Sequence, residues 1–453
     1  MGNSDFGDDF TWGCATASFQ IEGAARADGK GLSVWDMMCR WEGKVYNRDT
    51  GNTACDHYHR YAEDVGIMRN LGLGAYRFSI SWPRVLPEGT GAVNEKGLAF
   101  YDRLVDALLD AGITPYATLF HWDYPYELYC RGGWLNGDSP AWFADYTKVI
   151  VERLGDRVKH WMTMNEPQCF LGFGHVTGSH APGLKLDWTE YLRATHHALL
   201  AHGNAVRTIR AHSGDSATIG WAPVGVVKMP ASDSAEAVEV ARRAMFAMDK
   251  KDIWVNSWFM DPVFHGKYPE DGVEAFGAAM PVVKEGDMEI ISTPVDFLGL
   301  NIYNGQAVES DGAGGWRPVA KVPGHAVTNF HWPVTPECLY WGPKFLYERY
   351  RKPIIITENG LSMADWVHTD GRVHDPGRID FLRRYLRELW HAKNDGADVR
   401  GYFQWSLLDN FEWAEGYKHR FGLVHVDYGT LKRTLKDSAL WYKEVIASNG
   451  KCL

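Results

Sequence analysis

Short runs of consecutive apolar residues recur along the chain, and between them apolar positions repeat at helical spacing. The runs predict strands at Phe10–Ala15, Ala75–Ser79, Thr114–Leu119, Trp161–Asn165, Thr218–Ala222, Phe297–Asn301, Ile354–Thr357 and Gly401–Trp405. Runs such as Pro353–Thr357 (PIIIT) and Ala217–Ala222 (ATIGWA) are apolar on successive residues, as strands covered on both faces require. The intervening stretches Lys96–Gly112 and Ile379–Gly396 carry helical periodicity and stop at glycines. Eight strands alternate with helices, with no Pro/Ser-rich linker and no low-complexity segment. This pattern predicts an α/β fold, a single (β/α)8 TIM barrel over residues 1–453. An open doubly wound sheet is the alternative, and such sheets usually have fewer strands.

A barrel of this kind carries its reactive groups where the strands end, on the C-terminal face. The polar residues ending the predicted strands are Arg77, His121, Asn165 with Glu166, Asn301 with Tyr303, Glu358, and the aromatic Trp405. In Trp161–Pro167 (WMTMNEP), Pro167 lacks an N–H and forces the chain out of the sheet directly after Glu166. Proline also biases the residue before it toward an extended backbone, which is the conformation expected for Glu166. Glu358 likewise ends an apolar run and precedes the turn-forming pair Asn359-Gly360. Either Glu alone reads equally well as a helix cap or an arginine partner. On the ends of the fourth and seventh strands, both can reach one mouth.

Two such carboxyl groups suit hydrolysis at an acetal carbon, one ionised to attack and the other protonated to assist the leaving group. Like charges placed close together resist joint ionisation, so the pair separates its own pKa values. A separation of roughly 5–5.5 Å goes with retention and about 6.5–9.5 Å with inversion.

Composition narrows the partners. The chain has 20 Trp and 21 Tyr among 453 residues, and flat rings stack on sugar C–H faces as readily as they fill a core. A net charge of −10 without a basic stripe argues against nucleic acid and anionic membrane surfaces. Seven Cys at irregular spacing, without Cys-x-x-Cys, suggest free buried thiols in a reducing cytoplasm. No apolar run approaches the roughly 18 residues of a membrane span, and the acidic opening lacks an apolar signal region.

The motifs TMNEP (163–167), ITENG (356–360), YRFSISWPR (76–84), TLFHWD (118–123), FLGLNIY (297–303) and WSLLDNFEW (405–413) together resemble family 1 glycoside hydrolases, the retaining β-glucosidases. The resemblance runs from FTWGCATASFQIEG near the start to RFGLVHVDY near the end. It implies that Glu166 is the general acid/base and Glu358 the nucleophile, with Arg77, Tyr303 and Asn301 in the catalytic group. Gln20, His121, Asn165, Glu412, Trp413 and Phe421 would hold the terminal sugar, Trp405 would form its stacking floor, and Trp332 would face the leaving group. The implied substrates are small β-glycosides such as cellobiose and aryl glucosides, with no cofactor and no metal; a homo-oligomer stays open. His331 stands where the family has a small Gly before Trp332, and YELYCRGGW (126–134) departs from the common Gln-containing version. Trp122, Cys169 and His180 are expected around the same pocket.

Other signals carry less. Gly23–Gly31 only faintly matches a phosphate loop, and Gly72-x-Gly74 precedes a strand instead of following one. His57-x-His59 and His196-His197 lack metal-site spacing. A 6-phospho-β-glycosidase, with Lys418 near the sugar, a transglycosylase and a catalytically silent sugar-binding barrel remain as alternatives.

Overall fold

In a computed structural model, which describes residues 4–214 and 216–453, eight parallel strands close into a barrel. They are β1 (Thr11–Ala15), β2 (Ala75–Ser79), β3 (Thr114–Phe120), β4 (His160–Asn165), β5 (Thr218–Ala222), β6 (Phe297–Asn301), β7 (Ile354–Asn359) and β8 (Val399–Trp405). Each pairs with its chain neighbour, and β8 returns to β1 with Thr11 opposite Gly401 and Ala15 opposite Trp405. That closure excludes the open sheet. Helices fill the connections, among them Glu95–Asp110 and Pro376–Asn394. The glycines that stop them, Gly112 and Gly396, have φ of 73° and 97°, which glycine adopts without a Cβ clash.

The apolar runs place β2, β5 and β6 at their observed bounds. The strand predicted to stop at Thr357 instead runs to Asn359, because both flanking strands keep pairing with it: Glu358 lies opposite Asn301 and Asn359 opposite Gln404. The register shifts between Ile356 and these residues on both sides. Such an irregularity re-aims side chains at a barrel rim, and here it falls on Glu358.

The barrel interior is packed separately from the layer between strands and helices. It holds Ala75, Tyr116, Met162, Ala222, Phe297, Ile355 and Phe403, and rises to Trp405 and Phe421 at its upper end. Size alternates to make this fit: a Cβ on Gly220 would come within 2.5 Å of the Phe297 ring. Tyr303, Phe330 and Trp332 pack on top of the same column, so the floor of the mouth is continuous with the core.

Buried ion pairs fix the loops after β7 and β8. Lys436 bonds Asp365 at 2.5 Å and Asp409 at 2.7 Å, and Arg378 bonds Asp365 and Asp375. Removing one partner from such a set leaves an uncompensated buried charge. The expectation of buried thiols holds for Cys14, Cys55, Cys169 and Cys338, whereas Cys130 and Cys452 are exposed. His57, His196 and His197 are taken up by Asp64, by Tyr268 with Asp287, and by the Trp134 carbonyl, which gives them structural partners. Among the described residues, no helix is long and apolar enough to cross a membrane.

Candidate active site

Glu166 follows β4 directly, and its backbone corrects the extended conformation expected from Pro167. It sits at φ 46°, ψ 68°, in the left-handed region. Proline disfavours the right-handed helical region for its predecessor and favours extended backbone, and the turn made here overrides that bias. An extended residue would carry the chain on along β5, whereas the left-handed one turns it straight into the helix Pro167–Leu171. Two backbone bonds hold the turn: Glu166 N–H donates to the Ala222 carbonyl at 2.8 Å, and the Glu166 carbonyl accepts from Cys169 N–H at 2.9 Å. Such a residue costs of order 1–3 kcal/mol and persists where the surroundings over-determine it. Trp122, His331 and Trp413, beside the same mouth, also have positive φ.

Glu358 is held by a cation and a phenol. Arg77 Nη1 donates to Glu358 Oε1 at 2.6 Å, and Tyr303 Oη donates to Oε2 at 2.8 Å. The guanidinium is itself fixed by Thr118 Oγ1 at 3.1 Å, the Thr357 carbonyl at 3.2 Å and Asn165 Oδ1 at 2.6 Å. Asn301 joins the two acids: its Nδ2 donates to Glu166 Oε1 and to Asn165 Oδ1, each at 2.9 Å, while its Oδ1 accepts from Thr357 at 2.6 Å. Both carboxyl groups are therefore buried against one polar patch supplied by β2, β4, β6 and β7.

Their environments differ. Burial, then the charge of Glu358, pushes Glu166 up to about 8, with Asn301 and the Cys169 thiol pulling weakly the other way. Burial raises Glu358 too, but the Arg77 charge and the bonds from Arg77 and Tyr303 oppose it. An anion is thus best stabilised at Glu358 and a proton at Glu166. Tyr303 is raised well above its ordinary value by burial and then by Glu358, which keeps it a neutral donor. Glu412 is pushed up to about 8 by burial, then by the charges of Glu358 and Glu166.

His121 has an assignable tautomer. Asn165 Oδ1 already accepts from Arg77 and Asn301, so Asn165 Nδ2 must face His121 Nε2, 3.0 Å away. Nε2 is then the acceptor, and Nδ1 carries the proton. Burial, then Arg77, holds the imidazole well below its ordinary pKa, so it is neutral. Nδ1 is buried without a partner, as is Gln20 Oε1. Gln20 Nε2 donates to Asn410 Oδ1 at 3.0 Å and the Phe411 carbonyl at 2.9 Å, with Glu412 Oε2 at 3.3 Å. One fixed donor and one fixed acceptor are left over for a ligand.

Aromatic rings complete the mouth. The His121 ring lies nearly parallel to Trp405 at 5.8 Å and to Trp413 at 5.9 Å. Trp122 packs on Trp413 at 4.7 Å and donates its indole N–H to the Asn165 carbonyl, so its polar edge is committed to the protein. His180 packs against Trp122 and Trp35. On the opposite side Trp332 meets Tyr303 at 5.0 Å and Phe330 at 4.6 Å, with Phe421 at 6.0 Å. His331 is exposed, at φ 60°.

Every site residue expected from the sequence belongs to this one assembly or its aromatic rim. The residues the sequence reading passed over support it from behind: Thr118 and Thr357 on the guanidinium and amide, Asn410 on Gln20, and Asp123 with Ser18, Ser79, Glu22 and Arg84 beneath the β1 and β3 ends. Asp123 closes the stretch TLFHWD, and an acid ending an apolar strand was the available signal.

The chain matches the family described as "Glycosyl hydrolase family 1" over residues 3–451. It is 44% identical to "Beta-glucosidase A" of Thermotoga maritima over 99% of both chains. It is 45% identical to the "1,4-beta-D-glucan glucohydrolase" of Thermotoga neapolitana over 98% of this chain and 99% of that one. Among solved structures it resembles the β-glucosidase from Thermotoga maritima in complex with deoxynojirimycin, with a TM-score of 0.90, 45% identity and 99% of both chains covered.

Proposed function

The chain belongs to glycosyl hydrolase family 1, and from that premise we propose that it is a retaining β-glucosidase releasing terminal β-glucosyl residues from small glycosides such as cellobiose and aryl glucosides. The observation that carries the assignment of roles is the asymmetry of the two acids. Glu358 receives the Arg77 guanidinium and the Tyr303 hydroxyl, whereas burial and the neighbouring charge keep the proton on Glu166.

Ionised Glu358 attacks the anomeric carbon while Glu166 gives its proton to the departing glycosidic oxygen. The bond to the leaving group breaks as the ester to Glu358 forms. Esterification removes the charge that was raising Glu166, so its pKa falls. Glu166, now ionised, takes a proton from water. That water attacks the same carbon as the ester bond to Glu358 breaks, so Glu358 returns to its carboxylate and the sugar leaves as the β-anomer. Asn165, its amide locked by Arg77, Asn301 and His121, is placed to meet the 2-hydroxyl, a contact that strengthens in the transition state. His121 Nδ1–H, Gln20 Oε1 and Glu412 would take further ring hydroxyls, Trp405 would lie against the sugar face with Trp413 and Phe421 beside it, and Trp332 would line the leaving-group side. No cofactor or metal is needed for these steps.

A 6-phosphate would meet the Glu412 carboxyl. Lys418, the cation that could favour it, is engaged by Glu415 and lies over the Tyr46 ring. Action of residues 1–453 as one catalytic domain in the cytoplasm belongs to the same proposal; the free state of all seven cysteines supports the location.

The test is a panel of aryl β-glucoside, galactoside, fucoside and glucoside 6-phosphate, followed by proton NMR. Preference for the glucoside with β-sugar appearing first is expected. First-formed α-sugar, or preference for the 6-phosphate, would overturn the reading.

A further inference from the structure

We propose that Asp123 is a positioning residue that locks Gln20 and His121 into one rigid unit through Ser18 and Ser79. The inference rests on the β-glucosidase reading above, in which those two side chains hold sugar hydroxyls.

Asp123 is buried, two residues beyond His121 at the end of β3. Its Oδ2 accepts from Ser18 Oγ at 3.0 Å. Ser18 opens the one-turn helix Ser18–Ile21 that carries Gln20. Ser79, at the end of the intervening β2, accepts from Ser18 N–H at 2.7 Å and donates to Ser18 Oγ at 3.0 Å. With Asp123 ionised, each hydroxyl proton has one direction, from Ser79 to Ser18 and from Ser18 to Asp123; burial pushes this carboxyl up to about 7. The carboxylate terminates a chain of bonds across the ends of β1, β2 and β3.

Both tied segments need outside support. A single helical turn is not stable by itself, and this one has no side-chain cap at its start. Its far end is held in the same manner: Glu22 accepts from Arg84 Nε at 2.8 Å and from Tyr101 Oη at 2.7 Å. On the β3 side, Trp122 at φ 76° separates His121 from Asp123, a backbone state that must be held from outside. Removing Asp123 cuts the bond that ties Ser18, and the turn carrying Gln20, to the His121–Trp122 turn. Displacements of about 1 Å at such a site are enough to lose a hydroxyl contact.

The test measures kcat/KM on an aryl β-glucoside and on its 3-deoxy and 4-deoxy analogues, in the wild type, Asp123→Ala, Ser18→Ala and Asp123→Asn. In the wild type, deleting a hydroxyl held by buried groups should cost roughly 100-fold or more. In Asp123→Ala and Ser18→Ala the contact is already lost, so activity on the parent falls and the deoxy penalty shrinks by about 10-fold. Asp123→Asn still offers Ser18 an acceptor and retains the penalty. Reduced activity with an unchanged penalty in Ser18→Ala, and in Asp123→Ala where it folds, assigns Asp123 to folding alone and overturns the proposal. Failure of the wild type to hydrolyse the parent glucoside would instead refute the functional reading.

Discussion

Arg77 Nη1 lies 2.6 Å from Glu358 Oε1, with both side chains buried beneath the mouth of the barrel. Arg77 also reaches Thr118, the Thr357 carbonyl and Asn165, so one planar group on β2 orients residues from three other strands. Lysine keeps the charge but cannot hold these directions at once. Arg77→Lys is therefore expected to lower kcat by about 100-fold, comparable to removing one preorganised donor from an active site. Rates should be read alongside thermal unfolding; unchanged kcat in a folded variant would contradict the role.

Asn301 donates to Glu166 and so favours its ionised form. The acid must be protonated at the start of the reaction, so kcat/KM should fall as pH rises through the pKa of Glu166, about 8 in the free enzyme. Asn301→Ala removes the stabilised anion and should move this alkaline limb to higher pH while lowering the rate. A limb that moves to lower pH, or stays fixed, would contradict the link.

Glu412 is half-buried and its carboxyl is raised to about 8, while an unfolded chain leaves a glutamate near 4.3. Between these values the folded state binds more protons than the unfolded one. Its stabilising contribution is thus complete below the lower value and lost as pH rises through the upper one. Glu412→Gln should flatten the fall in stability between about pH 5 and pH 8, measured by denaturant unfolding at each pH. Parallel wild-type and variant curves would contradict it.

His331 is exposed and sits at φ 60°. Among the described residues the His331 side chain makes no hydrogen bond or ion pair, and glycine relieves this backbone state, so His331→Gly should stabilise the fold by about 1 kcal/mol. A lower unfolding midpoint would show that the imidazole makes a contact of its own.

The sequence placed the strands well because they are buried on both faces and mostly apolar, so short apolar runs mark them. It also placed Glu166 and Glu358 at strand ends, since Pro167 and Asn359-Gly360 punctuate the chain there. It missed the left-handed backbone of Glu166, because the bias toward extended backbone before proline is overridden by the bond from Glu166 N–H to the Ala222 carbonyl on β5, which only the folded barrel supplies. It missed the extension of β7 to Asn359, because that depends on partners in β6 and β8. The Asp123–Ser18–Ser79 tie and the His121 tautomer were illegible for the same reason: each is set by bonds between strands that only barrel closure brings together.

In the proposed mechanism Glu358 forms the covalent bond to the sugar and Glu166 moves the protons. Incubation with a 2-deoxy-2-fluoro-β-glucoside bearing a good leaving group, followed by peptide mass spectrometry, addresses it most directly. A stable fluoroglucosyl ester on the peptide containing Glu358 is expected. A label on Glu166, or rapid turnover of natural β-glucosides with no label on either acid, would contradict it.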